Sequence, residues 1–209
     1  MILTAAANLL AGAFAWTFAE YGLHHWNGHR MLGKTTFSKL HLRHHADQRY
    51  FAPTSAKIAA AIPANALVAA ATIWGFGPVV GLALTTGFAT MYAAYAVIHR
   101  RTHTNAQRGW YSRWARRHHL YHHFGSPKMN HGVTTPLWDL VFRTYVAPPD
   151  VIRVPRRQAP AWLCDPASGE VRRECARDYA IAGRPTREAE TSSFDTDLAA
   201  AYAGNAPTA

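Results

Sequence analysis

Three apolar runs constrain this chain more than any other feature. Residues 1–19, 58–74 and 79–98 carry no charge, and Gly75-Phe76-Gly77-Pro78 separates the second run from the third. About twenty helical residues at about 1.5 Å each span the hydrocarbon core of a bilayer. The second and third runs, joined by so strong a turn signal, read as a helical hairpin. Pro63 falls inside the second run, where a membrane helix tolerates it better than a soluble one. The first run lacks the basic stretch that precedes the apolar part of a signal peptide. Cleavage at its end would also sever it from the histidines that follow, so it reads as a retained span. The competing arrangement is a soluble bundle that buries two Ala-rich helices, because alanine is only weakly apolar.

Charge favours the membrane. All 14 Lys and Arg of residues 1–149 fall in two segments, 30–57 and 100–143, against three acids in the same stretch. Neither the N-terminal run nor the turn at 75–78 has any. The excess of cations on cytoplasmic loops then places both basic segments inside and the turn outside. The expectation is an all-α integral membrane bundle of about three transmembrane helices with a cytoplasmic, helical, His-rich cap. A basic body also suits nucleic acid, but these cations flank apolar spans, so no nucleic-acid partner is expected.

Past residue 146 the composition changes. Residues 150–209 hold eight Arg against nine acids, and seven prolines lie between 148 and 207. Residues 1–146 are expected to form the membrane domain and 147–209 an irregular, polar, Pro-rich tail with its last fifteen or so residues disordered. Cys164 and Cys175 lie in that tail as ordinary thiols; two cysteines make neither a disulfide scaffold nor a Cys-type zinc finger.

Twelve of the 13 histidines occupy four short windows, and the charge-derived topology brings all four to the cytoplasmic end. The windows hold His24, His25 and His29; His41, His44 and His45; His99 and His103; and His118, His119, His122 and His123. Residues three and four apart share a helix face with Cβ atoms about 5–6 Å apart. His99/His103, His41/His44/His45 and His119/His122/His123 therefore each present imidazoles towards one point. About ten nitrogens result. One tetrahedral ion needs four, so the supply suits two metal ions. Soluble di-iron bundles use Glu ligands in Glu-x-x-His motifs, which this body lacks. Its site must be built almost wholly from histidine, with Glu20 and Asp139 open either to orient an imidazole or to a plain solvated or capping role.

The order H-x4-H, H-x-x-H-H, H-x-x-x-H, H-x-x-H-H resembles the fatty acid hydroxylase / sterol desaturase superfamily of integral-membrane non-haem di-iron oxygenases. Residues 132–145, GVTTPLWDLVFRTY, resemble that family's segment after the last box, and Glu20-Tyr21-Gly22-Leu23-His24 resembles its entry to the first. Two features depart from the family. One apolar run precedes the first box where the family usually carries four helices in two hairpins, and position 25 is His where Arg is common. The resemblance selects His24 and His29 as ligands, although helical spacing prefers His25 with His29; a helix ending at Asn27-Gly28 would reconcile the two. It leaves His118 outside the fourth box, where substitution should be nearly silent. His131 lies outside all four, with His25 a neighbour of the site and His131 a hydrogen-bonding candidate.

What the resemblance implies is oxidation of an unactivated C–H bond of a lipid, hydroxylation or desaturation, with two Fe ions and O2. Fatty acyl chains and sterols come first, carotenoids as the alternative. Imidazoles suit zinc as well as iron. The chain shows no dinucleotide fingerprint and no haem motif, so a separate donor, a ferredoxin or a cytochrome with its reductase, must deliver electrons. The basic segments could dock that donor or hold anionic lipid. A membrane metal carrier is the non-enzymatic reading, but carriers keep ionisable residues within their spans and these runs have none.

Overall fold

The computed structural model describes residues 2–106 and 108–183. Six α-helices dominate. α1 is Ile2–Gly22, continued by a π-helical segment Leu23–Arg30; α2 is Thr36–Ala46, α3 Thr54–Phe76, α4 Pro78–Thr104, α5 Gly109–Phe124 and α6 Leu137–Val141. α3 and α4, of 23 and 27 residues, are long and apolar enough to cross a membrane. The turn between them is shorter than the four-residue signal suggests. α3 runs on through Phe76, Gly77 alone reverses the chain at φ 80°, and Pro78 opens α4. Only glycine takes that φ without strain, and proline suits a first helical turn whose N–H would have no partner.

Small residues let the helices meet backbone to backbone. A Cβ on Gly12 of α1 would overlap the Leu84 carbonyl of α4, and one on Gly87 would overlap that of Leu9. Trp16 fills the wider end of this seam, with ring centroids 5.1, 4.9 and 5.6 Å from Phe88, Tyr92 and Tyr95. The outer surface is apolar. Leu3, Leu10 and Phe14 on α1, and Ile58, Ile62, Leu67 and Trp74 on α3, are exposed, and α3 buries none of its residues. A helix that is apolar all round and unburied by protein is a helix for lipid. The exposed α3 favours lipid over the soluble-bundle alternative, and the helical fold is consistent with a membrane protein.

A second compact unit begins at Pro149. The sequence reading expects an irregular tail; the described residues are mainly turns and bends, as expected, but they also hold a short two-stranded sheet. β1, Ile152–Pro155, pairs in parallel with β2, Tyr179–Ala182, in the register Ile152↔Tyr179 to Pro155↔Ala182. Ile152, Val154, Trp162, Leu163, Cys175 and Tyr179 make a small buried core. Averaging over prolines and charges concealed these few apolar residues, which are enough to close a crossover between parallel strands. The expectation of an all-α chain is corrected by the same pair. Cys164 and Cys175 are both free thiols. The final residues, expected to be disordered, lie outside the described ones.

Candidate metal centre

The histidine-bearing elements meet at the end of the bundle where α1 stops and α4 runs out. There the backbone widens. In the π-helical segment Leu23–Arg30, bonding runs i→i+5, so residues five apart stand one above the other. His24 and His29 thus share a face, and His25, favoured by regular helical spacing, is turned away. The helix does not end at Asn27-Gly28, as the turn signal suggested; it changes pitch. Gly28 makes room for the result, since a Cβ there would come within 2.8 Å of the His41 ring.

Ten imidazoles gather into two groups. The first contains His24, His29, His41, His45 and His122, the second His44, His99, His103, His119 and His123. Within each group the potential donor atoms all lie within 4.8 Å of one another. The triplets on α2 and α5 do not each point to one place, as their spacing suggested. On α2 the i, i+4 pair His41/His45 enters the first group and His44 the second. On α5 the i, i+4 pair His119/His123 enters the second and His122 the first. Each of these helices thereby serves both groups, and the His45 and His123 rings stack across them at 4.0 Å.

The contacts inside the groups are not ordinary hydrogen bonds. His122 Nε2 lies 2.9 Å from His24 Nε2, 3.0 Å from His29 Nε2 and 3.1 Å from His45 Nε2. His24 and His122 each donate Nδ1–H to a backbone carbonyl, of His131 and Met129 respectively. With the proton fixed there, both Nε2 atoms carry bare lone pairs, and nothing but a shared cation makes their approach favourable. Two metal–nitrogen bonds of about 2.1 Å at a right angle place their nitrogens about 3.0 Å apart, which is the spacing seen. The second group repeats the pattern: His44 Nδ1 donates to the Tyr50 carbonyl and His103 Nδ1 to Gln48 Oε1, while their Nε2 atoms stand 3.1 Å apart. His119 Nε2 is 2.8 Å from His103 Nε2. The donor set fits metal ions.

Burial keeps these rings neutral, as ligands must be. It holds His24, His41, His119, His122 and His123 well below the usual imidazole range, with the neighbouring imidazoles adding to the effect. His45 and His131 are lowered for the same reason. His29 and His44, less enclosed, are pushed down to about 4.

The two carboxylates are buried but touch none of the ten rings. Glu20 accepts from the backbone N–H of Val133 and of Thr134, and from Thr134 Oγ1 at 2.7 Å. Asp139 accepts from the N–H of His131 and of Gly132, both at 2.8 Å, and from Thr144 Oγ1 at 2.7 Å. Both therefore pin the loop whose His131 carbonyl holds His24, so their effect reaches the site through backbone. His118, outside both groups, is fully buried and donates Nε2–H to Asp139 at 3.2 Å. That contact removes the basis for expecting a silent position. His25 is half-buried and stacks on Tyr21 at 5.4 Å. Gln48, buried and bonded to His103, was missed because it lies outside every histidine window, as do the carbonyls of Tyr50 and Met129.

A helical bundle with two apolar helices long enough to cross a membrane and two five-imidazole nests at one end has the architecture expected of a histidine-box metal protein. Comparison with known proteins narrows this. The fatty acid hydroxylase family profile matches residues 9–144, and the chain belongs to that family. It is 30% identical over 145 residues to dihydroceramide fatty acyl 2-hydroxylase FAH1 of Arabidopsis thaliana, covering 65% of this chain and 59% of that protein. The solved structure of full-length Scs7p, in which only the hydroxylase domain is visible, is similar with a TM-score of 0.59 at 27% identity. That match covers 70% of this chain and 58% of Scs7p. The chain thus spans about three fifths of the length of these relatives.

Proposed function

We propose that this protein hydroxylates an unactivated C–H bond of a fatty acyl chain in a membrane lipid, using two iron ions, O2 and electrons from a separate donor. The observation that carries the reading is the pair of five-nitrogen groups at the end of lipid-facing helices. His24, His29, His41, His45 and His122 would hold one ion and His44, His99, His103, His119 and His123 the other. When bound, two ferrous ions supply the dioxygen activation that no side chain performs.

The chain's own residues do the rest. Carbonyls of His131, Met129 and Tyr50 fix the tautomers, and Glu20 and Asp139 pin the loop that provides the first of these. The apolar flanks of α1, α3 and α4 admit an acyl chain from the bilayer. α1 would be the third span, and the cation pattern would put the site in the cytoplasm, where a ferredoxin or cytochrome can reach it. Both relatives named above are hydroxylases or carry a hydroxylase domain, which favours hydroxylation over desaturation.

Lipid mass spectrometry of a host with and without the gene, under oxygen, tests this. Acyl species heavier by one oxygen atom are expected, and unchanged lipids with iron-loaded protein present would overturn the assignment. Reporter fusions test orientation: inside after Arg49 and Val146, outside at Gly77. An inside signal at Gly77 would remove the hairpin.

A further inference from the structure

The His131 imidazole stands beside the first group but belongs to neither. His131 is completely enclosed, yet neither ring nitrogen has a hydrogen-bond partner. An unsatisfied buried polar group costs on the order of 1–3 kcal/mol, so such a ring calls for a partner that the protein itself does not supply. Its surroundings say where that partner would sit. The ring centroid lies 5.1 Å from that of His122, 5.5 Å from His29 and 5.6 Å from His24. All three belong to the first group, and they stand from one another at comparable distances, 4.4 to 5.4 Å. The ring cannot easily turn away. Its backbone N–H is held by Asp139 and its carbonyl by His24, and it packs on His25 at 4.3 Å and Tyr21 at 5.9 Å. The second group has no counterpart. Among the described residues, the rings beside it from outside the ten are Phe51, Tyr95 and Phe124.

We propose that His131 is a hydrogen-bonding residue for a small exogenous ligand at the first metal group, so that this ion, and not its neighbour, takes up small anions or a dioxygen-sized molecule. Five imidazoles spaced for right-angled bonds leave room for one more donor. A neutral imidazole beside that position offers one N–H and one lone pair to whatever fills it, as distal groups do in haem pockets. The inference rests on the proposed metal reading but can fail separately from it.

Azide is the probe, with the full-length protein loaded anaerobically with cobalt(II) and followed by visible absorption. The wild type should bind two cobalt ions and one azide. H131F keeps the ring volume and the stacking on Tyr21 but has no hydrogen bond to give. It should bind two cobalt ions with azide affinity reduced about tenfold or more, the scale of one hydrogen bond to a charged group. H131Q, which can still donate, should recover part of the loss. In the wild type alone, the azide stretching band should shift when H2O is replaced by D2O, a readout that needs no variant to fold. Equal azide affinity in H131F and wild type, or no isotope shift, would overturn the proposal. Failure of the wild type to bind cobalt would instead overturn the metal reading beneath it.

Discussion

The two imidazole groups match in composition and differ in how the chain builds them. The second relies on regular helix: His99/His103 on α4 and His119/His123 on α5 are i, i+4 pairs, and His44 completes the set. The first depends on a change of pitch, because His24 and His29 converge only when Leu23–Arg30 bonds i→i+5. It also needs a glycine at position 28, and a loop pinned by two buried carboxylates. A π-helical segment is rare and is sustained only by such surroundings. The first group should therefore be the more easily broken of the two by changes that touch no ligand.

The largest effects should come from the ten histidines proposed as ligands. H122A removes the nitrogen that approaches three others in the first group, and H103A one that approaches two in the second. Each should abolish lipid oxidation while the protein still inserts in the membrane. The lesions should be separable: spectroscopy of the remaining ion should differ between the two variants. Identical residual spectra would mean that the groups are one site.

The ease of reading the two groups followed the same division. Regular helix makes histidine spacing legible, so His99/His103 and the α2 and α5 triplets stood out from their periodicity alone. What spacing could not show was how the triplets divide. That depends on α2 and α5 each lying between the two imidazole groups, which is tertiary packing. The π-helical segment was invisible for another reason. Pitch is set by what the segment packs against, and Asn27-Gly28 looks like a helix end. Only the resemblance favoured His24 over His25. The apolar hairpin of α3 and α4 was plain from length and composition. The small β unit was not, because Trp162, Leu163 and a few others are diluted by prolines and charges.

Next in size are substitutions that leave every ligand in place. G28A pushes a methyl group into the His41 ring and should lower activity and first-group metal affinity about 10–100-fold, the range for residues that orient ligands. D139N and H118A loosen the loop that carries His131 and should fall in the same range or somewhat below it. Metal titration would show the loss confined to the first group. An equal loss at both groups would contradict the difference drawn between them.

A smaller effect concerns pH. His29 in the first group and His44 in the second are held neutral down to about 4, against 6.5 for a free imidazole. In the metal-free protein the unfolded chain takes up these protons below pH 6.5 while the folded one does not. The contribution of these two rings should thus be constant above pH 6.5, fall as the pH drops from 6.5 towards 4 and level off below. The more deeply lowered rings keep total stability falling further. Thermal unfolding of the apo-protein across that window checks the sign, and stability that rises on acidification would refute it. Smallest of all is H25A. Position 25 lies outside both groups, so activity should change less than about threefold, whereas H24A should be inactive.

Two ions in two separate nests are what the two imidazole groups imply, and metal analysis of anaerobically purified protein measures that directly. Close to two equivalents of iron per chain are expected, falling to about one in H29A, which opens the first nest, and to about one in H103A, which opens the second. One equivalent in the wild type, or two retained in both variants, would contradict this.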